Sequence, residues 1–350
     1  MKRILLIKLT SLGDLIHALP ALTDLHWAHP DLKVDWLIDE NFSEIASWHP
    51  AVGEIFTTNH RQWKKGLVSA LGPIYKLIKK LQKTKYDLVI DGQGNFKSAL
   101  LTLFMRGPKA GFDKHSVRER IAHLAYQRRY PASKTVHAID RLRQLFALAL
   151  NYPSPVSPPD FLIDRDRLVR PSLTLPSPYL VFIHNASWKT KLWSEKSWVE
   201  MIQKATARGY PVVLPWGNEE ERMRAVRLAI KPQVIVLPKL SLSEMGYVLA
   251  HAKACVGMDT GLSHLVAALN IPSLTLYGAT DSGRTGASGQ NQLHIQSTLR
   301  CAPCNKKTCR FPSATSLDPP CLTQITPDQA FQIFERFLGV EKPALCIRSS

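Results

Sequence analysis

The fold class follows from residues 4–14, which read ILLIKLTSLGD. The apolar run Ile4–Leu9 predicts a buried strand, and the apolar spacing of Leu15–Ala28 predicts the helix that follows it. The first residues imitate a signal peptide, but Lys8 interrupts the apolar run, so we expect the first strand of a cytoplasmic protein. No later run reaches the roughly 18 consecutive apolar residues that a membrane-spanning helix needs.

The alternation of strands and helices continues and is interrupted once. Strands are predicted at Val34–Ile38 and Leu88–Ile90, with a basic amphipathic helix at Ile74–Leu81 between them. Residues 151–178 contain seven prolines and predict a linker, because proline at that density sustains neither a helix nor an interior strand. The alternation then restarts, with strands at Tyr179–His184, Val212–Pro215, Val234–Leu237, Cys255–Met258 and Ser273–Tyr277, and helices near Ser197–Arg208, Glu219–Ala229, Ser243–Ala252 and Leu262–Leu269. This pattern predicts two α/β domains with mostly parallel sheets and a ligand site in the cleft between them.

The composition limits the class of protein, and the charge indicates a partner. The chain has 350 residues, of which 45% are hydrophobic, which excludes a collagen, a coiled coil and a disordered chain. The net charge is +17, and residues 61–143, with 19 basic and 5 acidic side chains, carry +14 of it. Such a window indicates an anionic partner: nucleic acid, an acidic membrane surface or a multiply charged ligand. The alternative is a charged surface that only keeps the protein in solution.

Two strand-to-helix turns carry polar residues where a ligand could bind. In the first, Ser11 and Asp14 place a hydroxyl and a carboxylate at a helix start, but the same spacing is a capping box that only stabilises the helix. In the second, residues 259–264, DTGLSH, place small polar residues at a helix N-terminus, which favours an anion such as a phosphate. The alternative is a capped helix with His264 packed one turn inside. Neither turn has the spacing of a Walker loop or a dinucleotide fingerprint, which argues against a P-loop NTPase or an NAD enzyme.

Two further stretches end strands of the second half. Residues 184–193, HNASWKTKLW, carry lysines that could reach a phosphate, although a single lysine is more often a surface residue. Trp216, between Pro215 and Gly217, could stack on a base or fill the core.

Four cysteines follow with the spacing Cys301-x2-Cys304-x4-Cys309-x11-Cys321. In a cytosolic protein such a set suggests zinc first, but only the first pair has the usual spacing. Reduced thiols or a disulfide are the alternatives.

Taken together, the motifs resemble a known family. Residues 11–22, SLGDLIHALPAL, and residues 259–264 are similar to signature stretches of the ADP-heptose:lipopolysaccharide heptosyltransferases, glycosyltransferase family 9, and their order fits most of the chain. The N-terminal half most resembles the members that add the first heptose to the Kdo of lipid A. The matching stretches are residues 34–36, 46–49, 61–65, 91–94 with 97–98, and 137–141, with 214–217 and 237–239 in the C-terminal half.

The sequence departs from that pattern in two places. The cysteine segment is more like the tails of members that add the second heptose. Ala186-Ser187 supplies one hydroxyl where two would be expected near the diphosphate.

The resemblance implies a GT-B fold, with two Rossmann-like domains whose parallel sheets face a central cleft. We expect an acceptor domain at residues 1–155, a proline-rich linker at 156–178 and a donor domain at 179–325. Residues 326–350 would form a C-terminal helix and tail that return toward the first domain.

The implied activity is inverting, metal-independent transfer of L-glycero-D-manno-heptose from ADP-heptose to the Kdo of Kdo2-lipid A, without a cofactor. Asp14 would be the catalytic base. Donor contacts would be made by Ser187, Lys191, Trp216, Gly217, Glu221, Leu240, Asp259, Thr260, Gly261 and His264. Acceptor contacts would be made by Gly13, Arg61, Lys64, Lys65, Gln93, Lys97, Arg118, His137, Arg141 and Arg143.

The basic window would then meet the carboxylates and phosphates of Kdo2-lipid A and hold the enzyme at the cytoplasmic face of the inner membrane. Two alternatives stay open: a family 9 transferase that uses a heptosylated acceptor, such as the enzyme of the second heptose, and a nucleic-acid-binding protein. The second is disfavoured because RNP, KH and zinc-finger patterns are absent from the sequence and the basic window has few aromatic residues, so nucleic acid is not the expected partner.

Overall fold

The computed structural model describes residues 2–59, 67–311 and 319–339. The chain divides into two units, which are described separately. The first comprises residues 1–170 with 242–246 and 283–285, and the second comprises 171–241, 247–282 and 286–350. The main boundary between the two units, between Arg170 and Pro171, falls in the proline-rich stretch.

The first unit is built on a parallel sheet of six strands in the order β3-β2-β1-β4-β5-β6. The strands are β1 (Arg3–Ile7), β2 (Lys33–Asp39), β3 (Val52–Thr58), β4 (Leu88–Asp91), β5 (Lys109–Phe112) and β6 (Arg128–Tyr130). Ile7, the last residue of β1, pairs with Leu37 on one side and Asp91 on the other. The strand order reverses between β1 and β4, and ligands of such sheets bind beyond the carboxyl ends of the strands at that point.

The helices of the first unit are longer or more divided than predicted. They are α1 (Leu12–Ile16), α2 (Leu19–Ala28), α3 (Ser43–Ser47), α4 (Leu67–Leu81), α5 (Phe96–Leu103) and α6 (Ala138–Leu150), with 3₁₀ helices at Glu40–Phe42, Arg120–Ala125 and Arg165–Arg167. The single helix predicted at residues 15–28 is two, because Pro20 lies in the first turn of α2 and cannot donate a backbone hydrogen bond to a preceding turn. The helix predicted at residues 74–81 begins earlier and passes through Pro73.

Burial explains why β1 reads as an unbroken apolar run. Its residues from Ile4 to Ile7 are completely buried, as expected of a central parallel strand that helices cover on both faces. Leu5 and Ile7 belong to a core cluster with Leu81 at the end of α4 and Leu101 on α5, so these two helices pack on the same face of the sheet.

The second unit repeats this architecture with the strand order β12-β11-β10-β7-β8-β9, again parallel. The strands are β7 (Leu180–Ile183), β8 (Val212–Leu214), β9 (Val234–Val236), β10 (Ala254–Met258), β11 (Ser273–Tyr277) and β12 (Gln292–Gln296). The helices after residue 171 are α7 (Glu195–Ala207), α8 (Glu219–Leu228), α9 (Leu242–Ala250), α10 (Gly261–Ala268), α11 (Ser282–Thr285), α12 (Pro320–Thr323) and α13 (Pro327–Phe334), with 3₁₀ helices at Lys189–Lys191 and Glu335–Leu338. The first part of α9 and most of α11 belong to the first unit. The order reverses between β7 and β10, which places the expected ligand edge there.

Aromatic residues fill the core beneath α7. The Trp198 ring lies against those of Trp193 and Phe182, with centroids 5.3 and 5.8 Å away. Trp193 donates its indole N–H to the carbonyl of Ile325 at 3.1 Å. Helix α13 packs on α7, so the described part of the segment 326–350 belongs to this core, and residues 340–350 lie outside the described residues. Across the three described ranges, no helix is long and apolar enough to span a bilayer.

Candidate active site

In the first unit, the loops that follow β1 and β4 meet at the carboxyl edge of the sheet. The side-chain carbonyl of Gln93 accepts hydrogen bonds from the backbone N–H groups of Leu9 at 3.1 Å and Thr10 at 3.3 Å. The β4 loop is itself held by Asp91, which accepts from the N–H groups of Gln93 and Gly94. Gln93 therefore joins the loop that leads to Asp14 to the loop predicted to contact the acceptor.

Asp14 is half-buried in α1 and is held by the residue that begins the helix. Its Oδ2 accepts from the backbone N–H of Ser11 at 3.0 Å and from the Ser11 hydroxyl at 3.1 Å. Both bonds fall on one oxygen, and Oδ1 receives no hydrogen bond from any residue in the described ranges. The capping role is therefore present and still leaves one carboxylate oxygen for a substrate proton. Gly13 is buried beside it in the same helix.

Lys8 is a buried cation that the sequence reasoning did not select. Its side chain is almost completely buried, and Nζ donates to the carbonyl of Gly92 at 3.0 Å. Burial lowers the pKa of Lys8, the charges of Asp14 and Asp91 oppose this, and the charges of Arg118 and Arg141 reinforce it. The sequence contained an indication of this role, since a lysine within an apolar strand is either exposed or buried with a polar partner.

Two of the predicted acceptor residues, Arg118 and Arg141, lie near enough for their charges to act on Lys8. Arg141 lies in α6 with its guanidinium 5.0 Å from the centre of the Phe112 ring, donates to the Ser116 carbonyl, and has its pKa lowered by burial. Arg118 is exposed. Lys8, Arg118 and Arg141 thus form a cationic cluster next to the Asp14 carboxylate, which suits an acceptor that carries both a hydroxyl and an anionic group.

The remaining acceptor predictions have different outcomes. His137 caps α6 by accepting from the Ile139 N–H at 3.2 Å, and its ring contacts that of His17 with centroids 5.4 Å apart. Lys97 lies in the first turn of α5, directly after the β4 loop. The predicted contacts Arg61, Lys64 and Lys65 lie outside the described residues.

Arg143, another predicted acceptor contact, is paired inside the fold. Its side chain is 4% exposed and binds both oxygens of Asp24 on α2, at 2.7 and 3.0 Å, while the Ser157 carbonyl accepts a third hydrogen bond at 2.8 Å. A guanidinium used in this way joins α6 to α2 and the following loop, so Arg143 is a structural residue.

In the second unit, the loop after β10 leads into α10 through the predicted DTGLSH turn. Thr260 has an extended backbone and precedes the first helical residue, Gly261. The Ser263 hydroxyl donates back to the Met258 carbonyl at 2.6 Å, which holds the helix start against the strand. Gly257 permits this approach, because a Cβ there would lie 2.5 Å from the Ser263 hydroxyl. The helix amides at Gly261 and beyond are thereby fixed at the end of the sheet, where they favour an anion.

Asp259 is the centre of a buried network in this loop. Its Oδ2 accepts from Nζ of Lys191 at 2.6 Å and from the Thr280 hydroxyl at 2.5 Å, and its Oδ1 lies 3.6 Å from Nε2 of His264. Burial alone would raise the pKa of Asp259, but hydrogen bonds and charges from His264 and Lys191 outweigh it and hold the pKa well below its usual range. A carboxylate so strongly ionised is a poor proton acceptor and a good anchor for the loop.

The predicted diphosphate contacts lie on the loop after β7. Lys191 ends the 3₁₀ helix Lys189–Lys191, and its ammonium also lies 4.6 Å from the centre of the Trp188 ring. Ser187 is exposed just before it. Thr280 and Trp188 were not selected from the sequence. Thr280 acts on Asp259, 21 positions away, whereas Trp188 lies beside the predicted contact Ser187.

The predicted adenosine contacts lie after β8 and β9, which are neighbours in the sheet. The Trp216 indole N–H donates to the Leu237 carbonyl at 2.6 Å, which joins the two loops, and Leu240 is half-buried in the second of them. Glu221, in the first turn of α8, accepts from the Gly217 N–H at 2.7 Å. The structure thus brings Trp216, Gly217 and Glu221 together.

The cysteines of the predicted tail are free thiols. Cys321 is buried, Cys304 and Cys309 are half-buried and Cys301 is exposed. Burial, followed by the charges of the other three, raises the pKa of Cys321 to about 11, so the four lie in one neighbourhood. In the described part of the chain, no three His, Cys, Asp or Glu side chains are arranged to hold a metal ion.

Two α/β units with six-stranded parallel sheets, each with a polar site at the carboxyl edge where the strand order reverses, define a GT-B glycosyltransferase. The profile of "Glycosyltransferase family 9 (heptosyltransferase)" matches residues 74–315, and the chain belongs to this family. Lipopolysaccharide heptosyltransferase 1 of Pseudomonas aeruginosa is 45% identical, over 96% of this chain and 98% of its own length.

Solved structures show the same architecture. The E. coli heptosyltransferase WaaC with ADP is 37% identical, with a TM-score of 0.83 over 96% of this chain and 99% of its own. The same enzyme with ADP-2-deoxy-2-fluoro heptose has a TM-score of 0.81 at 37% identity and covers 95% of this chain and 99% of its own.

Proposed function

We propose that this glycosyltransferase moves L-glycero-D-manno-heptose from ADP-heptose to the Kdo of Kdo2-lipid A, the first heptose of the lipopolysaccharide inner core. The observation that carries the proposal is the Asp14 carboxylate beside the cluster of Lys8, Arg118 and Arg141. Two similarities support it: the 45% identity to a lipopolysaccharide heptosyltransferase 1 and the 37% identity to an enzyme solved with ADP and with a heptose analogue.

On the acceptor side, Asp14 takes the proton of the attacking Kdo hydroxyl through Oδ1, while Ser11 holds Oδ2 in place. Direct displacement at the anomeric carbon needs one such base and inverts the configuration. The Kdo carboxylate pairs with the cationic cluster, which positions the sugar, and His137 and Gln93 border the same edge of the sheet.

On the donor side, the diphosphate of ADP-heptose lies at the start of α10, where the amides after Thr260 point at the β-phosphate. Lys191, anchored by Asp259, keeps further N–H donors for the charge that develops on the departing ADP. Ser187 adds one hydroxyl. Trp216 and Leu240 contact the adenine, and Glu221 binds the ribose.

The place of action follows from the acceptor. Kdo2-lipid A is a membrane lipid with two carboxylates and two phosphates, and the positive charge of residues 61–143 complements it. We therefore propose peripheral association with the cytoplasmic face of the inner membrane.

The test is mass spectrometry of heptoseless Kdo2-lipid A after incubation with ADP-heptose and the purified protein in EDTA. We expect a gain of one heptose with wild type, loss of this gain with Asp14→Asn, and retention with Asp31→Asn, an exposed aspartate outside the site. EDTA examines metal independence in the same experiment. If the acceptor gains heptose only when it already carries one, the enzyme of the second heptose is the correct assignment.

A further inference from the structure

Helix α5 exposes an apolar stripe although its other side is already buried. Ala99 and Leu101 pack into the first unit, while Phe96, Leu100 and Leu103 lie at i, i+4 and i+7 on the outer side. Phe104 continues the stripe. A helix that is apolar on both sides is normally covered by another surface.

Two further elements on this side of the sheet also expose apolar side chains. The 3₁₀ helix Arg120–Ala125 packs on α5 and exposes Ile121 and Leu124. Helix α4 lies on the same face of the sheet and exposes Leu71 and Tyr75. The exposed fractions of the six side chains on and around α5 run from 43% at Leu100 to 65% at Leu124. We call the set Leu71, Tyr75, Phe96, Leu100, Leu103, Phe104, Ile121 and Leu124 the apolar face.

The charges around the apolar face are predominantly positive. Exposed basic residues on or beside its three helical elements are Lys76, Lys79, Lys80, Lys83, Arg106 and Arg120, of which Lys80 pairs with Glu54 of β3 at 3.0 Å. None of the three elements contains an aspartate or a glutamate. Glu119, which precedes the 3₁₀ helix, accepts the Phe96 N–H at 2.8 Å and thereby caps α5.

An apolar surface with a rim of lysine and arginine is complementary to an anionic lipid bilayer, since apolar side chains enter the headgroup boundary while the cations meet lipid phosphates. We propose that the apolar face is the surface by which this enzyme docks on such a bilayer. The proposal rests on the proposed function, in which the acceptor is a lipid, and goes beyond it by naming helices that insert rather than only charges that attract.

The experiment is co-sedimentation with vesicles of phosphatidylcholine, with or without phosphatidylglycerol. Wild type should bind the anionic vesicles and bind the neutral ones more weakly. The double variant Leu103→Gln/Leu124→Gln should reduce partitioning about tenfold, since it removes two apolar side chains from the boundary. Leu148→Gln is the matched control, because Leu148 is 45% exposed on α6, which packs on α2 instead. Equal binding of wild type and the double variant, or no binding by wild type, overturns the proposal.

A second measurement separates this proposal from the proposed function. Heptosyl transfer to acceptor dispersed in detergent should be the same in wild type and the double variant, whereas transfer to acceptor in vesicles should fall with binding. If the double variant loses vesicle binding but wild type transfers no heptose to either acceptor preparation, the docking surface is supported and the proposed activity is rejected. Sedimentation velocity measures the oligomeric state of each protein. If wild type and Leu148→Gln form a dimer, the double variant does not, and all three bind vesicles equally, the apolar face binds a second copy of the chain and the proposal is overturned.

Discussion

The Lys191 ammonium lies 2.6 Å from Oδ2 of Asp259, and both side chains are largely buried at the start of α10. The pair is formed across 68 positions of sequence and closes the loop after β7 onto the loop after β10. Its lysine is therefore already oriented toward the site where the helix amides favour a phosphate.

Removing one member of this pair should weaken the fold. Asp259→Asn leaves Lys191 buried without its counter-charge, so we expect the free energy of unfolding to fall by about 3 kcal/mol at neutral pH, measured by urea denaturation. The pKa of Asp259 is depressed in the folded state, so its contribution is present above the unfolded pKa of about 4 and is lost as the pH falls below that value. The difference between variant and wild type should shrink in acid, and a difference that stays constant would contradict this account.

Lys8→Met should separate stability from activity. Met has a similar shape and carries no charge, so the variant is expected to be as stable as wild type or more stable, while kcat/KM for the acceptor falls at least about tenfold. The folded pKa of Lys8 is lowered, so wild type gains stability as the pH rises toward the unfolded pKa of about 10.4, and the variant lacks this gain. Lys33→Met, at an exposed position of β2, is the control. Unchanged acceptor kinetics would remove Lys8 from the site.

His49 should make the protein less stable in mild acid. It is completely buried, Nδ1 accepts from the Ala51 N–H at 3.2 Å and Nε2 lies 3.0 Å from the Thr23 hydroxyl, and burial lowers its pKa to about 3. Its stabilising contribution is present above the unfolded pKa of about 6.5 and should fall by about 2 kcal/mol between pH 7 and pH 5. Urea denaturation of His49→Gln should show a smaller loss over that interval, with exposed His115→Gln as the control.

Arg141 and Arg143, two residues apart on α6, should respond oppositely to the same substitution. Arg143→Gln breaks the buried pair with Asp24 and is expected to lower the free energy of unfolding by about 3 kcal/mol without changing the acceptor KM of the folded enzyme. Arg141→Gln should raise the acceptor KM about tenfold with a smaller effect on stability. Parallel urea and kinetic measurements check both, and a raised KM for Arg143→Gln would restore it as an acceptor contact.

The sequence predicted those parts of the molecule that local pattern controls. Strands β1, β10 and β11 and the turns before α1 and α10 are apolar runs followed by small polar residues, and they lie where they were predicted. Strands β3, β5, β6 and β12 and helices α3, α5 and α6 were missed. Helix α5 is apolar on both sides and therefore lacks the clear period of a half-buried helix.

The sequence could suggest individual residues for the candidate site, but it could not show the network that the structure forms from them. Lys8 and Thr280 act through partners distant in the sequence. The pairing of Arg143 was not foreseen, because an arginine in a basic window looks the same whether it faces solvent or a buried carboxylate. Burial and pairing are tertiary properties, so only the folded chain separates these cases.

Gln93 joins the loop of Asp14 to the loop after β4 through a single carbonyl oxygen that accepts from two consecutive amides. The proposed base and the proposed acceptor loop are therefore held together. A substitution at position 93 should therefore change the reaction rate and the acceptor specificity together. Re-engineering this enzyme for a different sugar acceptor requires that the amide side chain be kept or that both loops be redesigned.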